Sequence, residues 1–494
     1  MISEKLAKAR EYEKQTGKKI SKDSRPKFHL TPYVGWMNDP NGLSFYNGEY
    51  HMFYQYNPYS TVWDSMHWGH AVSRDLLSWE YLPAALAPDS FYDSFGCFSG
   101  SASELPDGRQ LLLYTGVRKD DNGEEFQTQC IAVGDGIDYN KINTNPVIDE
   151  KMLPQGTSRS NFRDPKIWKE EDGIYRCVAG TCDESKKGTI LLFKSSDGFK
   201  WEFESVLIEN DGTFGQMWEC PDYFTLDGKQ VLIVSPQDMM PKDFEYHNGN
   251  GTLCLIGSFD EKTKKFTYEH SQSVDYGIDF YAPQTVTASD GRKIMIGWMQ
   301  NWDTCSLIDR KDMTWFGQMT LPREISIKDG RLIQQPIREL LAKRSNQVEY
   351  KNVIVNDVLV LDGISGRTVD LEITLRPKEL DNIFHKFEIK FAQNDKYWTS
   401  LSFRPKESIL KIDRKFSGSR RAYIHQRRCL VSSMNNELKL RIIIDRFSVE
   451  VFINDGKQVM TATILTDTAA DRISFYADGE AVIDITKYDL FAGE

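Results

Sequence analysis

Three acidic residues of this chain keep company that surface acids rarely keep. Asp39 lies in Trp36-Met37-Asn38-Asp39-Pro40-Asn41-Gly42, Asp164 in Phe162-Arg163-Asp164-Pro165, and Glu219 in Met217-Trp218-Glu219-Cys220-Pro221-Asp222. Each is followed within two residues by proline, which fixes its own φ and biases its predecessor toward extended backbone. Each also has an apolar or aromatic neighbour upstream. Acids gathered in an aromatic-lined pocket suit glycoside cleavage, in which one carboxylic acid protonates the leaving oxygen and a carboxylate stands opposite. Asp39 is the expected nucleophile and Glu219 the expected general acid, kept protonated by burial and nearby negative charge. Asp164 is expected to stay ionised beside Arg163 and to stabilise positive charge in the transition state.

Residues 180 positions apart need a scaffold that makes them neighbours, and the sequence has a period that would do so. Ser73-Arg74-Asp75-Leu76-Leu77-Ser78-Trp79-Glu80 matches Ser195-Ser196-Asp197-Gly198-Phe199-Lys200-Trp201-Glu202, with weaker copies at Asp135 and Asp260. These aspartates are separated by 60, 62 and 63 residues. We read the element as a structural turn. Between the markers run short β-rich stretches such as Leu43–Tyr46 and Tyr50–Tyr56, which flank the hairpin signal Asn47-Gly48. A repeat of about sixty residues holding several strands is the blade of a β-propeller. Asp39, Ser99, Asp164, Glu219 and Tyr281 are spaced by 60, 65, 55 and 62 residues. One polar motif per blade at nearly constant phase places all five at equivalent points around one funnel.

The expected fold is all-β: a five-bladed propeller followed by a C-terminal β-sandwich, with a short N-terminal helix. Residues 1–28 are assigned to the helical extension, 29–337 to the propeller, 338–346 to a helical linker and 347–494 to the sandwich. The alternating run Val369-Asp370-Leu371-Glu372-Ile373-Thr374-Leu375 carries the sandwich reading.

Composition removes several functions. A net charge of −11 opposes a nucleic-acid surface. The charged first residues lack the apolar stretch of a secretory signal, and no window reaches a membrane span, so a cytoplasmic protein without membrane contact is expected. Eight cysteines form no C-x-x-C pair and read as free thiols. His67 and His70 lack further ligands, so no metal is expected, nor any cofactor.

At these motifs the chain resembles glycoside hydrolase family 32, the invertases, sucrose-6-phosphate hydrolases and fructanases, in its intracellular bacterial branch. The resemblance rests on Trp36-Met37-Asn38-Asp39-Pro40-Asn41-Gly42, Arg163-Asp164-Pro165 and Glu219-Cys220, and covers essentially the whole chain. It implies a retaining β-fructofuranosidase that releases fructose from sucrose, sucrose 6-phosphate or short fructo-oligosaccharides through a fructosyl-enzyme. In it Asp39 is the nucleophile, Asp164 the stabiliser and Glu219 the acid/base. It also implies sugar contacts from Asn38, Gln55, Trp63, Phe98, Ser99 and Arg163, with Tyr281 and one of Trp298 or Trp302 lining the pocket. Asp64-Ser65 departs from the family pattern, which has Gly and then Pro or Asn there. A fructosyltransferase, an inverting five-bladed arabinanase or xylosidase, and a non-catalytic fructan-binding protein are the alternatives. Leaving group and oligomeric state stay open.

Overall fold

The computed structural model describes residues 2–305, 313–418, 424–432 and 436–492. A helix over Glu4–Gly17 opens the chain, capped by Ser3, whose side chain accepts the Leu6 amide at 3.1 Å. It buries Leu6 and Ala9 and is pinned to the first blade by two bonds at Ala84. Arg10 Nε donates to the Ala84 carbonyl and Glu13 accepts the Ala84 amide, each at 2.9 Å.

Five antiparallel sheets follow, and their innermost strands are Gly35–Tyr46, Gly96–Glu104, Thr157–Lys169, Trp218–Leu226 and Tyr281–Thr287. Each inner strand packs on the next, and the fifth returns to the first. Apolar clusters fill the gaps between neighbouring blades. One joins Leu111, Leu113 and Ile131 to Phe162 and Ala179, and another joins Val178 and Leu192 to Leu232 and Leu255. Every such side chain removed from water contributes roughly 1.5–3 kcal/mol, so the blades are held by their faces. The ring is also tied by a short strand, Trp315–Phe316, inserted in blade five, which pairs in parallel with Gly35–Trp36 of blade one.

The repeat motif is the turn expected of it. Asp75 accepts the amides of Leu77 and Ser78, Asp135 those of Ile137 and Asp138, Asp197 those of Phe199 and Lys200, and Asp260 those of Lys262 and Thr263. Each aspartate substitutes for backbone hydrogen bonds at a strand end, which is why it recurs in each of the first four blades.

All five inner strands bulge where they approach the axis. Pairing skips between Met37 and Pro40, Phe98 and Gly100, Arg163 and Lys166, Glu219 and Asp222, and Tyr281 and Gln284. In blades three to five the bulged residue before proline is left-handed: Asp164 at φ 64°, Cys220 at 48° and Ala282 at 50°. Non-glycine residues rarely adopt that region, and its strain collects at functional sites. The register corrects the expected phase. Glu219 and Tyr281 match Arg163, while Asp164 matches Cys220 and Ala282, one residue later. The sequence spacing could not show this, because a two-residue bulge moves a side chain to the other face without changing the period.

The last propeller strand ends at Pro336, and a 3₁₀ helix over Arg338–Lys343 leads directly into a strand over Arg344–Leu359. That strand begins inside the segment read as linker. The C-terminal domain is a two-layered sandwich whose layers are joined by shared strands. Arg472–Leu490 pairs with Lys386–Gln393 through its first half and with Thr368–Pro377 through its second. Val369, Leu371, Ile373 and Leu375 face Phe387, Ile389, Leu401 and Phe403 in one core.

Propeller and sandwich share a buried ionic seam. His29 lies between Asp445 at 2.9 Å and Glu450 at 3.0 Å, and Arg323 donates to Glu450 at 2.7 Å and Asp275 at 3.0 Å. No helix among the described residues is long and apolar enough to cross a membrane.

Candidate active site

The bulges turn groups from all five blades toward one point at the head of the axis. Asp39 is 9% exposed and Asp164 6%, and the Glu219 side chain is 14% exposed. Ser99 Oγ donates to Asp39 Oδ2 at 2.7 Å. The Cys220 thiol lies 3.6 Å from that same oxygen and 3.5 Å from Asp164 Oδ2, which also accepts the Cys220 amide at 3.0 Å. One residue of blade four therefore bridges the carboxylates of blades one and three. Asn38 is itself buried, and Asp39 Oδ1 has no hydrogen-bond partner among the described residues. Asn38 accepts from Trp36 Nε1 at 2.7 Å.

Glu219 is gripped at both oxygens. Arg163 donates to Oε1 from Nη2 at 2.8 Å and from Nε at 3.1 Å, and the Tyr281 hydroxyl donates to Oε2 at 2.6 Å. That hydroxyl is also 3.0 Å from the Ser235 carbonyl. Arg163 stands 3.9 Å from Asp164 Oδ2, so the expected Arg163–Asp164 pair is only the weaker of its two carboxylate contacts.

The electrostatics follow from this crowding. Burial pushes the Asp39 carboxyl up to about 6, against the Ser99 hydrogen bond and with the added repulsion of Glu219. Burial likewise pushes Asp164 up to about 7; Arg163 opposes the rise, while Glu219 and Asp39 reinforce it. The guanidinium is turned toward Glu219, so burial outweighs its pull on Asp164. Burial raises the Cys220 thiol and the Tyr281 phenol well above their usual values, with the carboxylates adding to both shifts, so each remains a hydrogen-bond donor.

Aromatic side chains form the floor and one wall. Trp36, Met66, Tyr281, Trp298 and Phe316 pack as one buried cluster, with Phe98, Cys220 and Trp302 at its exposed edge. Trp63 is 38% exposed and meets Phe98 edge-on at 5.7 Å. Trp298 is fully buried beneath Trp36, whereas Trp302 is half-buried, its ring 4.9 Å from Trp298 and 6.0 Å from Trp36. Of the two tryptophans left open by the sequence, Trp302 is the one with an accessible face. Gln55 is buried and donates to the Cys97 carbonyl at 3.0 Å, just ahead of Phe98 and Ser99.

Sequence reasoning passed over the residues behind these. Thr115 accepts the Asp164 amide at 3.0 Å, Gln127 is 3.3 Å from Arg163 Nη1, and Ser235 Oγ accepts the Ala282 amide at 3.0 Å. Each precedes or follows an unremarkable strand residue in sequence, and only the pairing register places it opposite a bulge. His67 and His70 are buried and spent on packing: His67 Nδ1 contacts the Ser65 carbonyl, and His70 stacks on Phe53 at 4.0 Å. Among the described residues no group of three or more His, Cys, Asp or Glu is arranged to hold a metal ion.

Comparison with known proteins gives the family of the chain. Residues 29–336 match the glycosyl hydrolases family 32 N-terminal domain, and residues 339–490 match the family's C-terminal domain. A sucrose-6-phosphate hydrolase of Escherichia coli is 37% identical over 468 residues, covering 93% of each chain. A raffinose invertase of Escherichia coli is 34% identical, again over 93% of each. Among solved structures, the Bombyx mori GH32 β-fructofuranosidase superposes with a TM-score of 0.83 at 33% identity, covering 98% of each chain, and a variant of it has been solved with sucrose. On both its domains and its relatives, this chain belongs to glycosyl hydrolase family 32.

Proposed function

We propose that Asp39 attacks through Oδ1 in a double displacement that releases fructose with retention. The observation that carries this is the asymmetry of its carboxylate: Ser99 and Cys220 hold Oδ2, and Oδ1 has no partner among the described residues. The chain is a β-fructofuranosidase, and its relatives act on sucrose-type sugars by name. In the first step Oδ1 bonds to the anomeric carbon as the bond to the leaving oxygen breaks. Glu219 gives its proton to that oxygen. In the second step Glu219 takes a proton from water, which displaces Asp39 and frees fructose. Asp164 and Arg163 grip sugar hydroxyls on the far side, with Asn38, Gln55 and Ser99 below and Trp63, Phe98 and Trp302 around the mouth.

Tyr281 supplies the means for Glu219 to change roles. A phenol has one hydrogen, and here it has two acceptors, Glu219 Oε2 and the Ser235 carbonyl. With Glu219 ionised the hydrogen points to Oε2. With Oε2 protonated it swings to Ser235, and the acid stays available to the leaving group.

Sucrose and its 6-phosphate are the leading substrates of this reading, with water the acceptor. A cytoplasmic setting is part of it, supported by eight cysteines that are all free thiols. The experiment is product analysis by NMR immediately after mixing with sucrose. β-Fructofuranose as the first product supports double displacement, and the α-anomer overturns it. In the same assay Asp39→Asn is expected to lose roughly 10⁴-fold or more in kcat with its fold intact.

A further inference from the structure

Trp302, the tryptophan with an accessible face, stands on a single helical turn, Trp302–Cys305. A helix this short has no cooperative stability of its own, so its ring is aimed by whatever holds the turn from outside. The hold comes from Asn250, in the loop that joins the second and third strands of blade four, Lys229–Pro236 and Leu253–Asp260. The amide and the Nδ2 of Asn250 donate to the two carboxylate oxygens of Asp303 at 2.8 Å and 2.9 Å, and its carbonyl accepts from Asn301 Nδ2 at 2.8 Å. One residue thus grips the chain immediately before and immediately after Trp302. The same clasp explains Gly249. Its φ is 90°, and a Cβ there would lie 2.0 Å from Asp303 Oδ2, so only glycine lets the carboxylate close on the loop.

The loop is itself fixed on two sides. At its base Gly251 donates to the Pro236 carbonyl at 3.1 Å, one residue past the Ser235 carbonyl that receives the Tyr281 hydroxyl. At its outer side Arg427, in the sandwich strand Gln426–Leu430, donates to the Oδ1 and to the carbonyl of Asn248, each at 3.1 Å. A second sandwich arginine, Arg414, is buried and pairs with Asp279, which also accepts the Thr463 amide at 2.7 Å. Asp279 Oδ1 in turn accepts the Thr304 hydroxyl at 3.4 Å, two residues past Trp302. Both arginines therefore end on the Trp302 turn, one through the loop and Asp303, the other through Asp279 and Thr304.

We propose that the sandwich domain takes part in substrate binding by positioning Trp302, with Asp303 as the positioning residue through which the hold reaches the ring. This rests on the reading of Trp302 as a wall against which a sugar lies. Neither Asp303 nor Arg427 takes part in the proton transfers at Glu219 or the attack by Asp39. The device therefore acts on sugar binding and leaves the chemical steps alone.

Steady-state hydrolysis of sucrose tests it. Asp303→Ala, which removes both bonds to Asn250, is expected to raise KM roughly tenfold, as Trp302→Ala does, with kcat within about twofold. Asp303→Asn keeps one acceptor oxygen and should fall between Asp303→Ala and the parent. Arg427→Gln, far from the carboxylates, should raise KM roughly threefold with little change in unfolding temperature. Made in the Trp302→Ala protein, Asp303→Ala and Arg427→Gln should each add less than about twofold to KM, because residues that act through one side chain are not additive with its loss. Full additivity, a fall in kcat with KM unmoved, or an unchanged KM in both variants while Trp302→Ala raises it, would each overturn the proposal. If Trp302→Ala itself leaves KM unchanged, the reading of that ring as a sugar wall falls, and the proposal falls with it.

Discussion

Arg163 holds Glu219, its guanidinium 2.8 Å and 3.1 Å from Oε1, while Asp164, its neighbour in the chain, is left at 3.9 Å. The bulge explains the choice. Arg163 occupies the same register position as Glu219 on the next blade, so the two side chains leave their strands in parallel, whereas Asp164 is turned away by its left-handed backbone. The fork fixes the acid/base in one orientation through paired hydrogen bonds that an ammonium cannot reproduce. Arg163→Lys is therefore expected to lower kcat on sucrose by roughly 10²-fold, on the scale of a lost electrostatic contact at the reacting centre. An unchanged kcat with a raised KM would show instead that Arg163 only binds sugar.

Ser99 tests the nucleophile. Its hydrogen bond favours the ionised form of Asp39, whose carboxyl is pushed up to about 6 by burial. Removing it in Ser99→Ala raises that value further, and only ionised Asp39 attacks. The acid limb of kcat/KM against pH should thus move upward, by roughly one pH unit for a hydrogen bond to a charged group. A limb that stays in place while the rate falls uniformly would assign Ser99 to sugar binding alone.

Cys220 reaches Asp39 and Asp164 with one thiol. Cys220→Ser keeps a donor and Cys220→Ala removes it, so the two variants separate hydrogen bonding from packing. The alanine variant is expected to shift the acid limb upward and the serine variant to restore it. Equal profiles for both would reduce the thiol to filler.

What the sequence made legible was the period. Aspartates 75, 135, 197 and 260 advertise one turn in each of the first four blades, because the same local hydrogen bonds are needed at each, and local chemistry is written in local residues. The carboxylates were legible through the prolines beside them. The partner of Arg163 was not, because it depends on which side of a bulge each side chain leaves, and no residue type encodes that offset. Thr115, Gln127 and Ser235 stayed hidden for the same reason. Trp298 and Trp302 could not be told apart, since which of two tryptophans four residues apart is buried depends on contacts with Trp36, far away in sequence.

The ionic seam predicts an alkaline limit. Asp445 and Glu450 raise His29 from its usual 6.5 to about 9 despite full burial, which alone would lower it. A raised folded-state value means that the protonated histidine stabilises the fold fully below about 6.5, and that this contribution is lost as pH rises through about 9. It amounts to roughly 3 kcal/mol. Thermal unfolding midpoints should fall between pH 7 and pH 10. His29→Gln, lower throughout, should lose much of that dependence, and a parallel decline in both proteins would place the alkaline sensitivity elsewhere.

The two tryptophans of blade five offer the sharpest separation of floor from wall. Trp298 is fully buried against Trp36, so Trp298→Ala opens a cavity under the site and is expected to cost roughly 3–5 kcal/mol of stability. Trp302 stacks near Trp36 and keeps part of its surface exposed, the part expected to lie against a sugar ring. Trp302→Ala should lower the unfolding temperature little while raising KM for sucrose roughly tenfold, the loss of one aromatic contact in a pocket. Measuring both quantities for both variants gives a crossed pattern if the assignment holds. If Trp302→Ala instead unfolds the protein as readily as Trp298→Ala and leaves KM alone, the two rings belong to one core, and the wall of the pocket must be sought at Trp63 and Phe98.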